Sequence, residues 1–166
     1  MVSVLSIAGS DPSGGAGIQA DLKTFAAHGV YGAAVITAVT VQNAKSVQSI
    51  NEVAAKIIHE QIDAVFAGER IRAVKTGMLP SVTAINAVSE ALYRYKGIPL
   101  VVDPVMRASA GQDLSGVNAL AVWRHAMLHD ATLVTPNIHE ASMLAGMEIT
   151  SMESMRAAAR AIVHRS

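Results

Sequence analysis

The chain has 166 residues, 51% of them hydrophobic and 16% charged, with 13 basic residues balancing 13 acidic ones. Such a chain carries enough apolar material for a folded domain and is not disordered; zero net charge and 4% aromatic residues give neither the basic field nor the stacking platforms of a nucleic-acid binder. With no cysteine there are no disulfides or thiolate metal sites, and a reducing cytoplasm is the natural setting.

The first apolar run, Ser3–Ile7, reads as a strand. It lacks the basic flank of a signal peptide, and no stretch of the sequence reaches the roughly 18 uninterrupted apolar residues of a membrane span. A glycine-rich turn leads into a helix over 15–27, with Ile18, Leu22 and Phe25 on one face and His28 near its end. A long apolar strand follows over 33–41, then a helix over 51–66 carrying Val53, Ile57, Ile58, Ile62 and Phe66. Strand 73–76, helix 82–95 and strand 100–103 come next. A helix over 117–128, a strand over 131–135, a helix opening near Asn137 and a last helix over 151–164 complete the order. Thr150-x-x-Glu153 has the spacing of a capping box for that last helix. Met143, Met147, Met152 and Met155 read as core fillers, and His164 as a surface residue. The apolar runs show little polar alternation, as expected of strands buried on both faces.

Strict alternation of strand and helix with short connections predicts a single α/β domain, a doubly wound and mostly parallel sheet with helices on both faces. Ligands of such sheets bind at the carboxyl ends of the strands. The polar clusters lie at those ends: Gly9-Ser10-Asp11, Gln42-Asn43, Lys75-Thr76-Gly77, Asp103-Pro104 and Thr135-Pro136-Asn137.

The first of these clusters is the most informative. Gly15-Ala16-Gly17-x-x-Ala20 has the spacing of a dinucleotide fingerprint, but the acidic residue required about 20 positions later falls in an apolar strand. Gly9-x4-Gly14 begins like a P-loop, yet Gly15-Ala16 stands where the lysine and hydroxyl residue must be. What remains is a glycine-lined turn that lets a ligand approach backbone amides. Asp21 lies among apolar neighbours, where a bare charge is costly unless paired or ligand-bound. The Gln42 amide offers an acceptor beside a donor pair, a match for an aminopyrimidine edge, though it also suits a loop tie. Asp103 is placed to steer a hydrated magnesium or to cap a loop. Asn137 with Glu140 reads first as a helix cap, with a role near metal left open. His125 and His129 share a helix face without the companions of a zinc site.

The run from Ile7 through Gly9-Ser10-Asp11-Pro12-Ser13-Gly14-Gly15-Ala16-Gly17 to Asp21 and Phe25 resembles the amino-terminal signature of the hydroxymethylpyrimidine/phosphomethylpyrimidine kinases of thiamine biosynthesis, in the ribokinase superfamily. Val74-Lys75-Thr76-Gly77-Met78-Leu79, Val102-Asp103-Pro104-Val105-Met106 and Thr135-Pro136-Asn137-x-x-Glu140-Ala141 resemble later blocks, in the same order. The resemblance implies a ribokinase-like fold and phosphorylation of 4-amino-5-hydroxymethyl-2-methylpyrimidine and then its monophosphate, with ATP and Mg2+. It implies that Gly9, Ala16, Asp21, Gln42, Met78 and Val105 line the pyrimidine pocket, that Asp103 and Glu140 serve the metal, and that Asn137 lies near phosphate. The family's lysine-glycine-glycine stretch and Gly-Thr-Gly-Cys anion hole do not occur in the sequence. The expectation is thus a domain truncated at its carboxyl end, holding the substrate-binding part and no catalytic residue. A small-molecule pyrimidine is the expected partner, without nucleic acid or membrane, and a homodimer would cover the open sheet edge. The alternatives are a pyridoxal or pyridoxine kinase of the same superfamily and a non-catalytic pyrimidine-binding module.

Overall fold

The computed structural model describes residues 1–106 and 119–165. The strands are β1 (Ser3–Ser10), β2 (Tyr31–Gln42), β3 (Val47–Glu52), β4 (Ile71–Thr76), β5 (Leu100–Val102) and β6 (Leu133–Val134). The helices are α1 (Gly17–Ala27), α2 (Ala55–Gly68), α3 (Val82–Tyr93), α4 (Ala119–Val122, continuing as a wider π-type turn over Trp123–Leu128), α5 (Ile138–Ala145) and α6 (Met152–Arg165). They build one six-stranded sheet in the order β3-β2-β1-β4-β5-β6. All pairings are parallel except β2 with β3. The expected doubly wound α/β sheet is therefore present.

The period of two along β1 sorts its side chains between the layers. Leu5 and Ile7 are fully buried in a cluster with Ile58 and Ile62 of α2 and Ile85 and Val88 of α3. Ser6 points the other way and donates to Asp21 of α1. Helices thus cover both faces, and their apolar stripes account for the buried residues of α2 and α3. Ser81 caps α3 by accepting from the Ala84 amide, and Gly146 ends α5 in a left-handed conformation with φ 66°.

The strand order places the functional region. After β1 the chain turns to one side for β2 and β3, then returns to the other side of β1 for β4, β5 and β6. The reversal creates a crevice beside the carboxyl end of β1, where the glycine-rich turn emerges.

Five sequence expectations need correction. The stretch 47–52 is an antiparallel strand, and α2 begins at Ala55 instead of 51; Val47 and Ile50 are its inward residues, among polar neighbours. The run 33–41 is not buried on both faces throughout. Its last pairing with β1 is Val39 opposite Ser10, and from Ala38 on it pairs with β3; there Val39 and Val41 are about half exposed (49% and 46%) while Thr40 is buried. The last helix is capped by Ser151, not Thr150: Ser151 Oγ accepts the Ser154 amide and Ser154 Oγ accepts the amides of Thr150 and Ser151. Met143 and Met147 pack against the core, but Met152 and Met155 face solvent. Helix α1 starts at Gly17, two residues later than the periodicity suggests, and residues 117–118 of the expected fourth helix lie outside the described residues.

Candidate active site

The turn between β1 and α1 is organised around Asp11. Its side chain is nearly inaccessible (3% exposed) and accepts hydrogen bonds from the Ser13 amide (2.8 Å), the Ser13 hydroxyl (2.7 Å), the Gly15 amide (3.1 Å) and the Ala16 amide (2.9 Å). Burial alone would raise the carboxyl's pKa, but these donors together outweigh it and hold Asp11 below the ordinary carboxylate value. Gln19 ties the turn to its helix by accepting from the Asp11 amide and donating to Ser10 Oγ. Lys23 closes the outside by donating to the Gly14 carbonyl. Glycine is needed at 17, where φ is +56° and a Cβ would lie 2.1 Å from the Gly9 carbonyl oxygen. At Gly9, a Cβ would lie 2.4 Å from the Met78 methyl carbon, so the missing side chain lets Met78 reach in.

The turn walls a cavity of about 290 Å³, closed on the other sides by β2, β3 and the ends of β4 and β5. Gly9, Ala16, Asp21, Gln42, Met78 and Val105 all line it, and Asp103 lines it too. Sequence positions spread from 9 to 105 thereby meet around one space. Four of the five strand-end clusters contribute to it. The fifth does not: Asn137 and Glu140 lie behind the cavity at the start of α5.

Asp21 is paired, as its apolar neighbours required. The Lys75 ammonium lies 3.0 and 3.1 Å from its two carboxylate oxygens, and Ser6 Oγ donates to it at 2.6 Å. Ser6 and Lys75 occupy opposed register positions on β1 and β4, so one sheet face presents both beneath Asp21. Lys75 also forms a longer ion pair with Asp103 at 3.6 Å. Burial raises the Asp103 pKa; the Lys75 charge opposes that rise and the Asp21 charge adds to it. Gln42 ends β2 with its Oε1 3.3 Å from the Thr40 hydroxyl, which also lies 2.9 Å from the Ser10 carbonyl oxygen. The strand ribbon is thereby tied to the glycine-rich turn.

The helix-cap reading of Asn137 and Glu140 holds in full: Asn137 Oδ1 accepts the Glu140 amide and Glu140 Oε2 accepts the Asn137 amide. Glu140 is buried, and burial lifts its pKa despite hydrogen bonds from the Asn137 and Met106 amides, with the Asp103 charge adding to the rise. The two carboxylates thus sense each other. Lys75, Val47 and Ile50 are cavity residues that sequence reasoning did not single out as ligand contacts. For Lys75 a signal existed, a lysine beside the Ala73-Val74 core of its strand at a strand-end polar cluster; for the β3 pair no clear periodicity was there to read.

The family model described as phosphomethylpyrimidine kinase matches residues 11–166. The chain belongs to the phosphomethylpyrimidine kinase family. It is 49% identical to the hydroxymethylpyrimidine/phosphomethylpyrimidine kinase of Rhizobium meliloti (strain 1021) over 90% of the chain and 56% of that relative. It superposes on the phosphomethylpyrimidine kinase crystal structure from Clostridium difficile 630 with TM-score 0.92 and 43% identity, covering all of this chain and 72% of that one. A Bacillus subtilis pyridoxal kinase solved with ADP is similar at 35% identity and TM-score 0.89, over the whole chain and 62% of that structure. The fold is therefore the ribokinase-like one of these kinases, and the chain spans just over half the length of the Rhizobium relative. Among the described residues no helix is long and apolar enough to cross a membrane.

Proposed function

We propose that this chain forms the pyrimidine-binding part of an ATP-dependent kinase that phosphorylates 4-amino-5-hydroxymethyl-2-methylpyrimidine and its monophosphate in thiamine biosynthesis. One observation carries the reading: Gly9, Ala16, Asp21, Gln42, Met78 and Val105 share one cavity beside Asp103. The cavity suits a single small ring, with Met78 and Val105 as apolar walls and Gln42 and Asp21 as polar groups. Gln42 would pair with the ring nitrogen and amine, and Asp21, held by Ser6 and Lys75, would accept a hydrogen bond from the ligand. No residue of the chain is assigned as catalytic; its part is to orient the hydroxymethyl group, since phosphoryl transfer depends chiefly on positioning and electrostatics.

The donor set fits magnesium. Asp103 and Glu140 are hard oxygen donors whose pKa values are raised chiefly by burial, with a smaller contribution from a neighbouring carboxylate in each case. Among the described residues no three His, Cys, Asp or Glu side chains form a cage, and magnesium, which keeps several waters and takes one or two carboxylates, needs none. When bound it would neutralise phosphate charge. Asp103 would hold it directly or through water, with Glu140 behind, its carboxylate engaged by two amides, and Asn137 orienting that carboxylate. A cytoplasmic setting, where ATP is supplied, belongs to the same proposal. So does a homodimer, supported by Val39 and Val41, half exposed on the ribbon beside the β3 edge; sedimentation would test it.

Calorimetry with the hydroxymethylpyrimidine and with pyridoxine tests the reading. Preferential binding of the pyrimidine is expected, and Gln42→Leu should cost it about tenfold in affinity while leaving pyridoxine nearly unchanged. Preference for pyridoxine by the unaltered chain would favour the pyridoxal kinase reading, and binding of neither ligand would overturn the proposal.

A further inference from the structure

The cavity's charge is lopsided. Among the described residues that line it, Asp11, Asp21 and Asp103 are carboxylates and Lys75 is the one cation. Asp11 is engaged by the amides and hydroxyl of its own turn, so Lys75 faces two carboxylates alone. A pocket of that sign accepts an uncharged aminopyrimidine readily and repels the same molecule once it carries a phosphate.

Lys75 is placed to reverse that repulsion. An ammonium has three protons to donate. Two are directed to the Asp21 oxygens at 3.0 and 3.1 Å, and the third faces Asp103 in a looser ion pair at 3.6 Å. One donor is thus only loosely held, on the side facing Asp103 at the end of β5, where a phosphate could compete for it. The ammonium also has a fixed seat: a Cβ at Gly77 would come within 3.0 Å of Nζ, so the glycine leaves room for the charge beside the backbone. Its side chain is 24% exposed, open to the cavity without being free in solvent.

Resting on the proposed pyrimidine-kinase reading, we infer that Lys75 is a specificity-determining residue, which lets one cavity hold the phosphorylated pyrimidine as well as the uncharged alcohol by donating its third proton to the phosphate. Asp21 anchors the ammonium and Gly77 gives it space. The alcohol, which needs no cation, depends on Lys75 only through the orientation of Asp21.

The test is calorimetry at fixed magnesium with the hydroxymethylpyrimidine and its monophosphate as separate ligands, on the unaltered chain, Lys75→Met and Lys75→Arg. Lys75→Met should weaken the monophosphate about tenfold more than it weakens the alcohol, which feels the change through Asp21, and Lys75→Arg should restore most of the monophosphate affinity. Equal weakening of both ligands, or of neither, would overturn the inference and leave the kinase reading standing. Failure of the unaltered chain to bind either ligand would overturn both. Should Lys75→Met not fold, nitrogen-15 labelling of lysine in the unaltered chain gives the answer: the Lys75 Nζ resonance should move on adding monophosphate and much less with alcohol, and a resonance indifferent to monophosphate would refute the role.

Discussion

Gly17→Ala against Gly29→Ala separates two costs that a glycine conceals. Both residues have positive φ, +56° at Gly17 and +68° at Gly29. An alanine in that region carries about 1–2 kcal/mol of backbone strain, offset by about 0.4–1 kcal/mol because it restricts the unfolded chain. At Gly29 a new Cβ meets nothing within 4 Å, so the net cost there is about 1 kcal/mol or less. At Gly17 it would lie 2.1 Å from the Gly9 carbonyl oxygen, a backbone atom that no rotamer change can move aside. Relieving that contact means separating β1 from the start of α1, an overpacking cost of about 1–3 kcal/mol beyond the strain. The total is about 2–4 kcal/mol, and for a chain of this size roughly 5–15 °C in Tm against at most a few degrees for Gly29→Ala. Urea and thermal unfolding followed by circular dichroism measure both. Because Gly9 and Ala16 line the cavity, Gly17→Ala should also lose pyrimidine binding where Gly29→Ala keeps it. Equal stability of the two variants would refute the claim that contact with Gly9, and not the dihedral angle, dictates glycine at 17.

Asp11→Asn should destabilise the chain by about 2 kcal/mol at neutral pH, since the amide weakens bonds that a charged acceptor made. The lowered pKa of Asp11 contributes stability above the unfolded value, which fades as pH falls through the folded one; acid titrations of Tm for the two proteins should therefore converge below about pH 4. Asp103 and Glu140, with raised pKa values, have the opposite sign: their stabilising contribution is present below the unfolded carboxylate pKa and lost as pH rises through the folded one. Magnesium should accordingly raise Tm near neutral pH by a few degrees, and Asp103→Asn should abolish most of that gain, as a magnesium titration by differential scanning fluorimetry would show. Asn137→Ala removes the cap of α5 and should cost about 1 kcal/mol in urea unfolding.

The order of strands and helices was legible because the periodicities were clean. Val and Ile runs marked β1, β4 and β5, and Ile58 and Ile62 marked the buried face of α2. The β3 strand was hidden because Gln48, Ser49, Asn51 and Glu52 leave it almost no apolar pattern; its partner β2 supplies the register. For the same reason Val39 and Val41 looked buried: apolar alternation was lost within a valine-rich run, and only the position of β3 decides which side meets water. Ser151 took the cap from Thr150 because Ser154 supplies a reciprocal hydroxyl one position beyond the glutamate. At the site, residue types were readable but their allegiances were not. Asp11, Asp21 and Asp103 look alike in sequence. Asp11 is consumed in folding its own turn, Asp21 is held by Ser6 and Lys75, and Asp103 remains under-compensated.

That division of labour follows from the topology. Asp11 follows the last residue of β1 paired with β2, and its carboxylate takes up the amides of Ser13, Gly15 and Ala16 as the chain turns into α1. Asp21 is about one helical turn into α1, over the β1–β4 pair, where Lys75 reaches it. Asp103 follows the short strand β5 and, among the described residues, is paired with the far side of the same ammonium. Among the described lining residues, a single lysine shared between two carboxylates leaves surplus negative charge on the side away from the glycine-rich turn. A charge-neutral ring settles on the Asp21 side without meeting that surplus, and a phosphate or a divalent cation must deal with it. The same arrangement therefore makes the proposed magnesium role of Asp103 and the proposed phosphate role of Lys75 parts of one electrostatic problem.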